Sequence, residues 1–321
     1  MDTKKVINRI LLITGFFILI LFLTTVDFKQ GLLSIKQLGI MLIALLALVF
    51  LNLLVKAWRW KILLQKVTMI NIHLPFSFKS IIAGVAAGSF VPGRIELAKP
   101  LLMKSHYNVP ISHSLSALGI ERVLDLFSLL LIALLTFGFI PAQKILPQEI
   151  LWILVLLLIT GTMMVVFFPQ SFITIFSKII KHLPGPQTIK ERGMKAVQEM
   201  IEGFTILKNK SFLSGMILLS FLANGIEVLR FYLLLMALGI DSSLTITGFV
   251  FASSIIIGVL TMIPGGIGIT ELSAVGILGA LVHSGEGVIK TAVLIDRFMA
   301  YYVLLLIGAI ILILLSNKRE K

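Results

Sequence analysis

The sequence predicts an all-α polytopic membrane protein, and three observations carry that reading. Of its 321 residues 58% are hydrophobic and only 13% charged, with a mean hydropathy of +1.06. Apolar runs such as LLITGFFILILFLTTV, LGIMLIALLALVFLNLLV, EILWILVLLLITGTMMVVFF and YYVLLLIGAIILILL are long enough to cross a hydrocarbon core of roughly 30 Å. The Lys and Arg outside the apolar runs fall mostly on one side of the membrane, as orientation by the positive-inside rule requires. None of the runs alternates apolar and polar residues, so a transmembrane barrel is excluded.

The elements follow in order. The first apolar run comes after Lys4, Lys5 and Arg9, in the manner of a signal sequence. It has no small-residue cleavage site and leads directly into a second span, so it reads as an uncleaved first helix. Full spans are expected near 8–26, 37–62, 111–139, 148–168, 211–239 and 288–315. Two further apolar segments, 77–91 and 245–263, are each broken by a Pro-Gly and are expected to be re-entrant. The total is six full spans plus two re-entrant broken helices, eight membrane segments in one domain over 1–321.

With the N-terminus inside, the cytoplasmic face collects nearly all the Lys and Arg, including Lys56, Arg59, Arg94 and Lys99. Only Lys29, Lys36, Lys144 and Lys290 remain outside. Both termini are therefore expected in the cytoplasm of a multi-pass protein of the cell (plasma or inner) membrane. The net charge of +13 is a topology signal and an affinity for anionic inner-leaflet lipid, which argues against nucleic acid as a partner. Residues 170–210 are the one sizeable hydrophilic stretch. Phe172, Phe176, Ile179 and Leu183 fall on one face of a helix there, as expected for a connector lying in the interface.

There is no cysteine, so thiol chemistry and a disulfide framework are excluded. The five histidines are scattered without ligand spacing, and neither a metal nor a cofactor is expected.

The chain reads as duplicated. WRWKILL at 58–64 resembles LRFYLLL at 229–235, FVPGRIE at 90–96 resembles MIPGGIGITE at 262–271, and GIERVLDLFSLLLIAL at 119–134 resembles LIDRFMAYYVLLLIGA at 294–309. Arg59 precedes Pro92 by 33 residues and Arg230 precedes Pro264 by 34. The first repeat covers about 37–139 and the second about 211–315. In the expected topology their leading helices run in opposite directions, which makes them inverted repeats. In transporters of that design the site lies at the repeat interface and is formed by broken helices.

Charges inside spans mark the candidate site. Glu121, Arg122 and Asp125 lie within an apolar helix, where each charge costs about 2.5–3.5 kcal/mol at the bilayer centre unless paired or hydrated. Glu121 and Asp125 are four apart and share a face. Asp296 and Arg297 occupy the matching places in the second repeat, and Ala300 stands for Asp125. Glu227 and Arg230, three apart, can pair on one helix. Ion pairs bracing the bundle and a substrate or ion pathway are both consistent with these residues.

The breaks carry a similar choice between a packing kink and a ligand site. Pro92–Gly93 and Pro264, Gly265, Gly266 and Gly268 end one half-helix and free the backbone before the next. The following half-helices are expected to start near Arg94–Glu96 and Ile267–Thr270, where free N–H groups and the dipole favour an anion.

Taken together, KAWRWKILL, SFVPGRIELAKPLLM, ERVLDLFSLL and IPGGIGITE resemble the lysylphosphatidylglycerol synthase transmembrane-region family, also called flippase-like. The resemblance covers nearly the whole chain. The family's motifs fall on Arg59, Pro92, Gly93, Arg94, Glu96, Glu121, Arg122, Asp125, Pro264, Gly265, Gly266, Gly268 and Glu271. In full-length synthases a similar membrane unit flips the lipid made by an attached aminoacyltransferase domain. The present sequence ends at SNKREK, so the resemblance implies the flippase part and not the enzyme.

The leading expectation is a transporter moving a phosphate-bearing headgroup between leaflets: phospholipid, aminoacyl-phospholipid or polyprenyl-linked. Arg94, Arg122 and Arg297 would hold the phosphate. Glu96, Glu121, Asp125 and Glu271 would meet a cationic headgroup part or carry protons. Anionic or zwitterionic membrane phospholipid and a lipid-synthesis enzyme are the implied partners. A membrane enzyme of lipid or glycolipid assembly and a transporter of a small anion are the alternatives.

Overall fold

The structure is a computed structural model that describes residues 13–14, 17–25, 28–91, 96–139, 156, 160 and 203–317. Every regular element among them is helical. Pro92, Gly93 and Arg94, the predicted span at 148–168 apart from two residues, and most of the 170–210 connector lie outside the described residues.

Residues 17–24 are helical, and α1 follows over Phe28–Leu38. After a turn at Gly39 (φ +50°), α2 runs over Met41–Thr68 and stops where Met69 turns left-handed and donates its N–H to the Gln65 carbonyl at 2.9 Å. Helix α3, Leu74–Gly88, opens with Pro75 in its first turn, where the missing N–H has no partner to lose. Helix α4, Ala98–Tyr107, ends at left-handed Asn108, and Pro110 precedes α5, Ile111–Phe137.

In the second half, Asn209 caps α6, Lys210–Ala237, by accepting the Phe212 N–H at 3.1 Å. Ser243 caps α7, Leu244–Leu260, in the same way at 3.2 Å. A short turn at Pro264–Gly266 leads to α8, Ile269–Leu281, and then α9, Glu286–Arg297. A π turn at Phe298–Tyr302 joins α9 to α10, Val303–Asn317.

Among the described residues four stretches are long and apolar enough to cross a membrane: Met41–Thr68, Lys210–Ala237, Pro264–Leu281 and Glu286–Leu314. Three of these match expected spans. The fourth follows the second break, where the sequence reading ends its segment at 263. Helix α5 is of similar length, 27 residues, but carries Glu121, Arg122 and Asp125. Helices α3 and α7 are apolar and shorter, at 15 and 17 residues.

Large apolar side chains face outward on these helices, among them Phe50, Leu46, Leu218, Ile310 and Ile313. Such a surface would drive aggregation in water; in a bilayer it meets lipid tails.

The packing is reciprocal. Helix α3 of the first half lies along α10 of the second, and α7 of the second lies along α5 of the first. Helices α2 and α6, which open the two halves, pack on each other. One apolar core therefore joins Leu45, Trp60, Ile81 and Ile120 of the first half to Ile295, Met299 and Leu304 of the second. A second joins Leu129 and Phe137 to Phe231, Phe249, Leu278 and Ile289. Each half completes the other's bundle.

The α3–α10 contact depends on Gly308. A Cβ there would come within 2.3 Å of the Ile82 carbonyl oxygen and 2.8 Å of the Ala86 Cβ. Small residues of this kind let two membrane helices approach closely. Gly308→Val is expected to destabilise by about 1–3 kcal/mol, the usual range for overpacking. Gly276→Ala, where a Cβ would have nothing within 4 Å, is expected to leave the protein as stable or more so. Thermal unfolding in detergent reads both, and equal melting of the Gly308→Val protein and wild type would contradict this account of the seam.

Candidate functional site

The charged residues of the spans converge. In the first half, Arg59 of α2 is fully buried. It ion-pairs with Asp125, donates from Nη2 to Glu121 Oε1 at 2.9 Å and Asp125 Oδ2 at 3.1 Å, and from Nη1 to Ser220 Oγ of α6 at 2.7 Å. The shared helix face of Glu121 and Asp125, read from their spacing, is what lets one guanidinium serve both. Glu121 gives its other oxygen to Lys99 Nζ of α4 at 2.8 Å. Lys99 also pairs with Glu96 and lies 4.8 Å from the centre of the Trp60 ring. Glu96 pairs in turn with Arg122.

The second half repeats the plan. Arg230 of α6 grips Asp296 of α9 with two bonds, at 2.9 and 3.1 Å. Arg297 Nε donates to Glu271 Oε1 at 2.7 Å. Arg297 and Glu271 are 26 residues apart in the chain, as are Arg122 and Glu96. Arg59–Glu121 and Arg230–Asp296 are likewise the same pair in the two halves. The α6-internal pair that spacing allows, Glu227 with Arg230, is replaced by two pairs between helices, because Asp296 takes Arg230 and Lys56 of α2 takes Glu227.

Backbone geometry at the second break explains its glycines. Gly265, Gly266 and Gly268 all have positive φ, at +66°, +60° and +83°. A Cβ on Gly265 would come within 2.1 Å of the Tyr301 hydroxyl, and one on Gly268 within 2.7 Å of Ile18. Helix α8 begins just after, as expected. Its N-terminus is not left open to a ligand at Gly268, whose N–H donates to Glu271 Oε2 at 2.7 Å. That carboxylate also accepts from the Tyr302 hydroxyl at 3.1 Å. The anion at this helix end is the protein's own.

These groups surround a cavity of about 500 Å³ between α2, α3, α5, α6, α7 and the α9–α10 helix. Of the predicted site residues, Arg59, Glu96, Glu121, Arg122, Asp125, Glu227, Arg230, Asp296 and Arg297 line it. Glu271 is fully buried behind Arg297 and does not. Apolar residues such as Leu53, Leu126, Leu129, Phe231, Phe251 and Val259 complete the wall.

Sequence reasoning missed two lysines here. Lys56 and Lys99 entered it as topology markers, yet both line the cavity and Lys99 is 1% exposed. The signal for Lys99 was available, because it follows the acidic Glu96 by three residues, close enough for the two to pair. Tyr301 and Tyr302 were hidden in an apolar run. Tyr301 lines the cavity, bonds Ser89 at 2.8 Å through its hydroxyl and carries Arg297 over its ring at 4.4 Å.

The hydrogen-bonding capacity left over is one-sided. Both oxygens of Glu121, Asp125 and Asp296 are engaged by cations. By contrast Arg59 Nε, Arg122 Nε and Arg297 Nη2 are buried donors with no hydrogen-bond partner among the described residues. Beside these three donors the wall holds one such acceptor, Glu96 Oε2, which is ion-paired with Lys99. No group of three or more Asp, Glu or His gathers among the described residues in a way that could hold a metal ion.

The Arg230–Asp296 pair is a brace that can be tested apart from any ligand. Removing one member of a buried pair typically costs about 3–5 kcal/mol because the other charge is stranded. Asp296→Asn is expected to lower the unfolding temperature in detergent sharply. The double replacement Arg230→Met with Asp296→Leu is expected to recover most of it. Wild-type melting by the single variant would show that the pair carries no structural load.

The sequence pattern of the lysylphosphatidylglycerol synthase TM region matches residues 6–308. A UPF0104 membrane protein of Methanothermobacter thermautotrophicus is 28% identical over 286 residues, covering 84% of this chain and 82% of its own. A UPF0104 membrane protein of Pyrococcus horikoshii is 26% identical over 339 aligned positions and covers 97% of both chains. With that match extending over nearly the whole length, the chain belongs to the lysylphosphatidylglycerol synthase transmembrane-region family.

Proposed function

We propose that the protein is a lipid transporter that moves a phosphate-bearing headgroup between the leaflets of the cell membrane through the charged cavity. The observation that carries this reading is the pair of matching arginines, Arg122 and Arg297. Each lines the cavity, each is held by a carboxylate, and each keeps one buried N–H without a partner. A guanidinium steadied on one edge with a donor to spare is suited to a phosphate oxygen, which it can meet with charge-assisted hydrogen bonds. The apolar part of the wall suits the acyl or prenyl chain that follows.

The halves supply a means of moving it. Asn52 donates to the Ala223 carbonyl at 2.6 Å, and Lys56 pairs with Glu227. In both contacts the partners are 171 residues apart, the separation of Arg59 from Arg230. Equivalent positions of the two repeats thus touch where α2 crosses α6, as they do beside a local two-fold axis. The exchange of α3 and α7 between bundles supports the same symmetry. Inverted repeats, with the broken segments re-entrant and both termini cytoplasmic, give alternating access by rocking one repeat on the other. A lipid-making enzyme beside the protein would supply its cargo.

The test is reconstitution into vesicles carrying fluorescent phospholipid in both leaflets, with outer-leaflet label destroyed by a membrane-impermeant reductant. Wild type is expected to expose inner-leaflet label well above the protein-free rate. Arg122→Ala is expected to slow that exposure at least tenfold while melting within a few degrees of wild type, because Glu96 keeps its pair with Lys99. Arg297→Lys, which leaves a cation beside the buried Glu271, is expected to slow it as well. Wild-type exposure at the protein-free rate would sink the proposal.

A further inference from the structure

The ion pairs around the cavity leave no charge to spare. Among the described residues six cations and six carboxylates form the network, each in an ion pair with another member, so it is neutral. The part in the first half balances on its own, with Arg59, Lys99 and Arg122 against Glu96, Glu121 and Asp125. Lys99 stands at its centre and serves Oε2 of both Glu96 and Glu121. That sharing is balanced only while Arg122 holds Glu96 Oε1 and Arg59 holds Glu121 Oε1.

An anionic headgroup disturbs this balance. It adds a negative charge that no unpaired cation of the network meets, and uncompensated charge is costly in a low-dielectric site. A phosphate that recruits Arg122 also leaves Glu96 sharing one lysine with Glu121. We infer that binding of an anionic headgroup is coupled to uptake of one proton on Glu96, released by Arg122; the inference rests on the reading of this cavity as a headgroup site. The step balances. A proton from water joins a Glu96 oxygen, the carboxylate becomes a neutral acid, and the loaded network returns to neutrality. A proton gradient is then the energy source for moving an anionic lipid.

The surroundings of Glu96 select it. It faces Arg122 and Glu121 of α5 and Lys99 of α4, while α3 turns Gly84 toward it; Lys79, the one charged residue of α3, is exposed. Glu96 Oε2 is buried and has no hydrogen bond beyond its ion pair with Lys99. Glu271 holds Arg297 in the matching way, but the Gly268 N–H and the Tyr302 hydroxyl also donate to it, so it keeps neutral donors if Arg297 turns to a ligand.

Buried polar atoms mark a path for the proton. Ser77 Oγ, Ser114 Oγ and Trp60 Nε1 belong to residues with no exposure and have no hydrogen-bond partner among the described residues. Such atoms are ordinarily bonded to water. Ser114 precedes Glu121 by seven residues, and Ser77 precedes Gly84 by seven, so each lies on the same face two turns, or about 10 Å, away. A Cβ on Gly84 would come within 2.8 Å of Glu96 Oε2 and 3.0 Å of Lys99 Cε, which places that face of α3 against the acid. The Trp60 ring lies under Lys99. Helices α3 and α5 both begin on the side where α2 and α4 end, and there the His73 N–H donates to the Tyr107 hydroxyl at 3.4 Å. The two serines thus stand between that end of the bundle and the Glu96–Lys99–Glu121 group.

The experiment titrates purified protein in detergent with short-chain phosphatidylglycerol in a calorimeter, in buffers of different ionisation heat. The dependence of the observed heat on the buffer counts the protons taken up. Phosphatidylglycerol, with its single negative charge, is expected to take up about one proton and to bind roughly tenfold more weakly for each unit rise in pH near neutrality. Phosphatidylethanolamine brings its own cation and is expected to take up none, with an affinity flat in pH. Glu96→Gln, which leaves the network with a net positive charge, is expected to bind phosphatidylglycerol without proton uptake. Binding of phosphatidylglycerol by wild type with no proton taken up overturns the inference. Equal uptake with phosphatidylethanolamine, or undiminished uptake by Glu96→Gln, overturns it too. The wild-type comparison decides even if that variant fails to fold.

Soluble glycerophosphoglycerol carries the same charge without chains. Weak binding by it supports a lipid headgroup, and binding equal to phosphatidylglycerol overturns that part. Absence of binding by either lipid sinks the headgroup reading and the inference with it. Phosphatidylglycerol that crosses vesicles but binds without a proton refutes the coupling and leaves transport standing. Proton-linked binding by a protein that never moves lipid refutes transport and leaves the linkage.

Discussion

Arg59 is the constraint on which the rest of the molecule depends. Its guanidinium is fully buried in an apolar bundle and reaches two acids of α5 and a serine of α6 at once. A charge left alone at that depth would cost several kcal/mol, so α2, α5 and α6 must come together around it. Glu121 then passes the demand on to Lys99, which draws α4 into the bundle, and Lys99 passes it to Glu96. The interior is therefore a chain of obligations in which each charge fixes the position of the next helix. The apolar surfaces supply the driving force for compaction but little of this specificity, since lipid tails are as apolar as the leucines.

The same chain of obligations explains why so many charges persist in a membrane protein. The second half carries two ion pairs of its own, Arg230–Asp296 and Arg297–Glu271. The first half adds Asp125 and Lys99, where the second has Ala300 and Ala274. The surplus lies on the cavity wall and not at a packed seam. Stability alone would favour apolar replacements at such places. The bracing pairs and the charged cavity wall thus share residues, and the ion pairs aim the arginines as well as hold the helices.

Much of this was legible in the sequence, for definite reasons. Apolar runs of membrane length found α2, α6 and the α9–α10 helix, because hydrophobic length is set by the bilayer. The two breaks were marked by Pro-Gly, and at the second the three glycines adopt the positive φ angles that such residues permit. The candidate acids and arginines were visible because charge inside an apolar run is conspicuous. Partner choice was not legible. Spacing along α6 favours Glu227 with Arg230, but the helices arriving from elsewhere bring Asp296 and Lys56, and three-dimensional packing decides. Lys99 was obscured by the positive-inside rule itself, which explains a basic residue near a span end without asking where its side chain goes. Tyr302 was obscured by its apolar neighbours.

The two halves meet one requirement by different means. Glu96 and Glu271 both hold an arginine of the wall, and both need further donors to remain buried as anions. In the first half Lys99 provides a full charge. In the second the backbone N–H of Gly268 and the Tyr302 hydroxyl provide neutral donors. Glu271 is thereby fixed by its own helix start, and its fully buried carboxylate is tied to the conformation of the glycine break. Glu96 is fixed by a flexible side chain and remains on the cavity wall. Arg297, pinned between that carboxylate and the Tyr301 ring, is the stiffer of the two arginines. Arg122, with its side chain 31% exposed and its acid held by a lysine, is the more adjustable. The two matching corners of the cavity thus hold their arginines differently, one tightly and one loosely. For the phosphate proposed as the cargo, that inequality would give one easier direction in which to leave, which two equally fixed arginines would not.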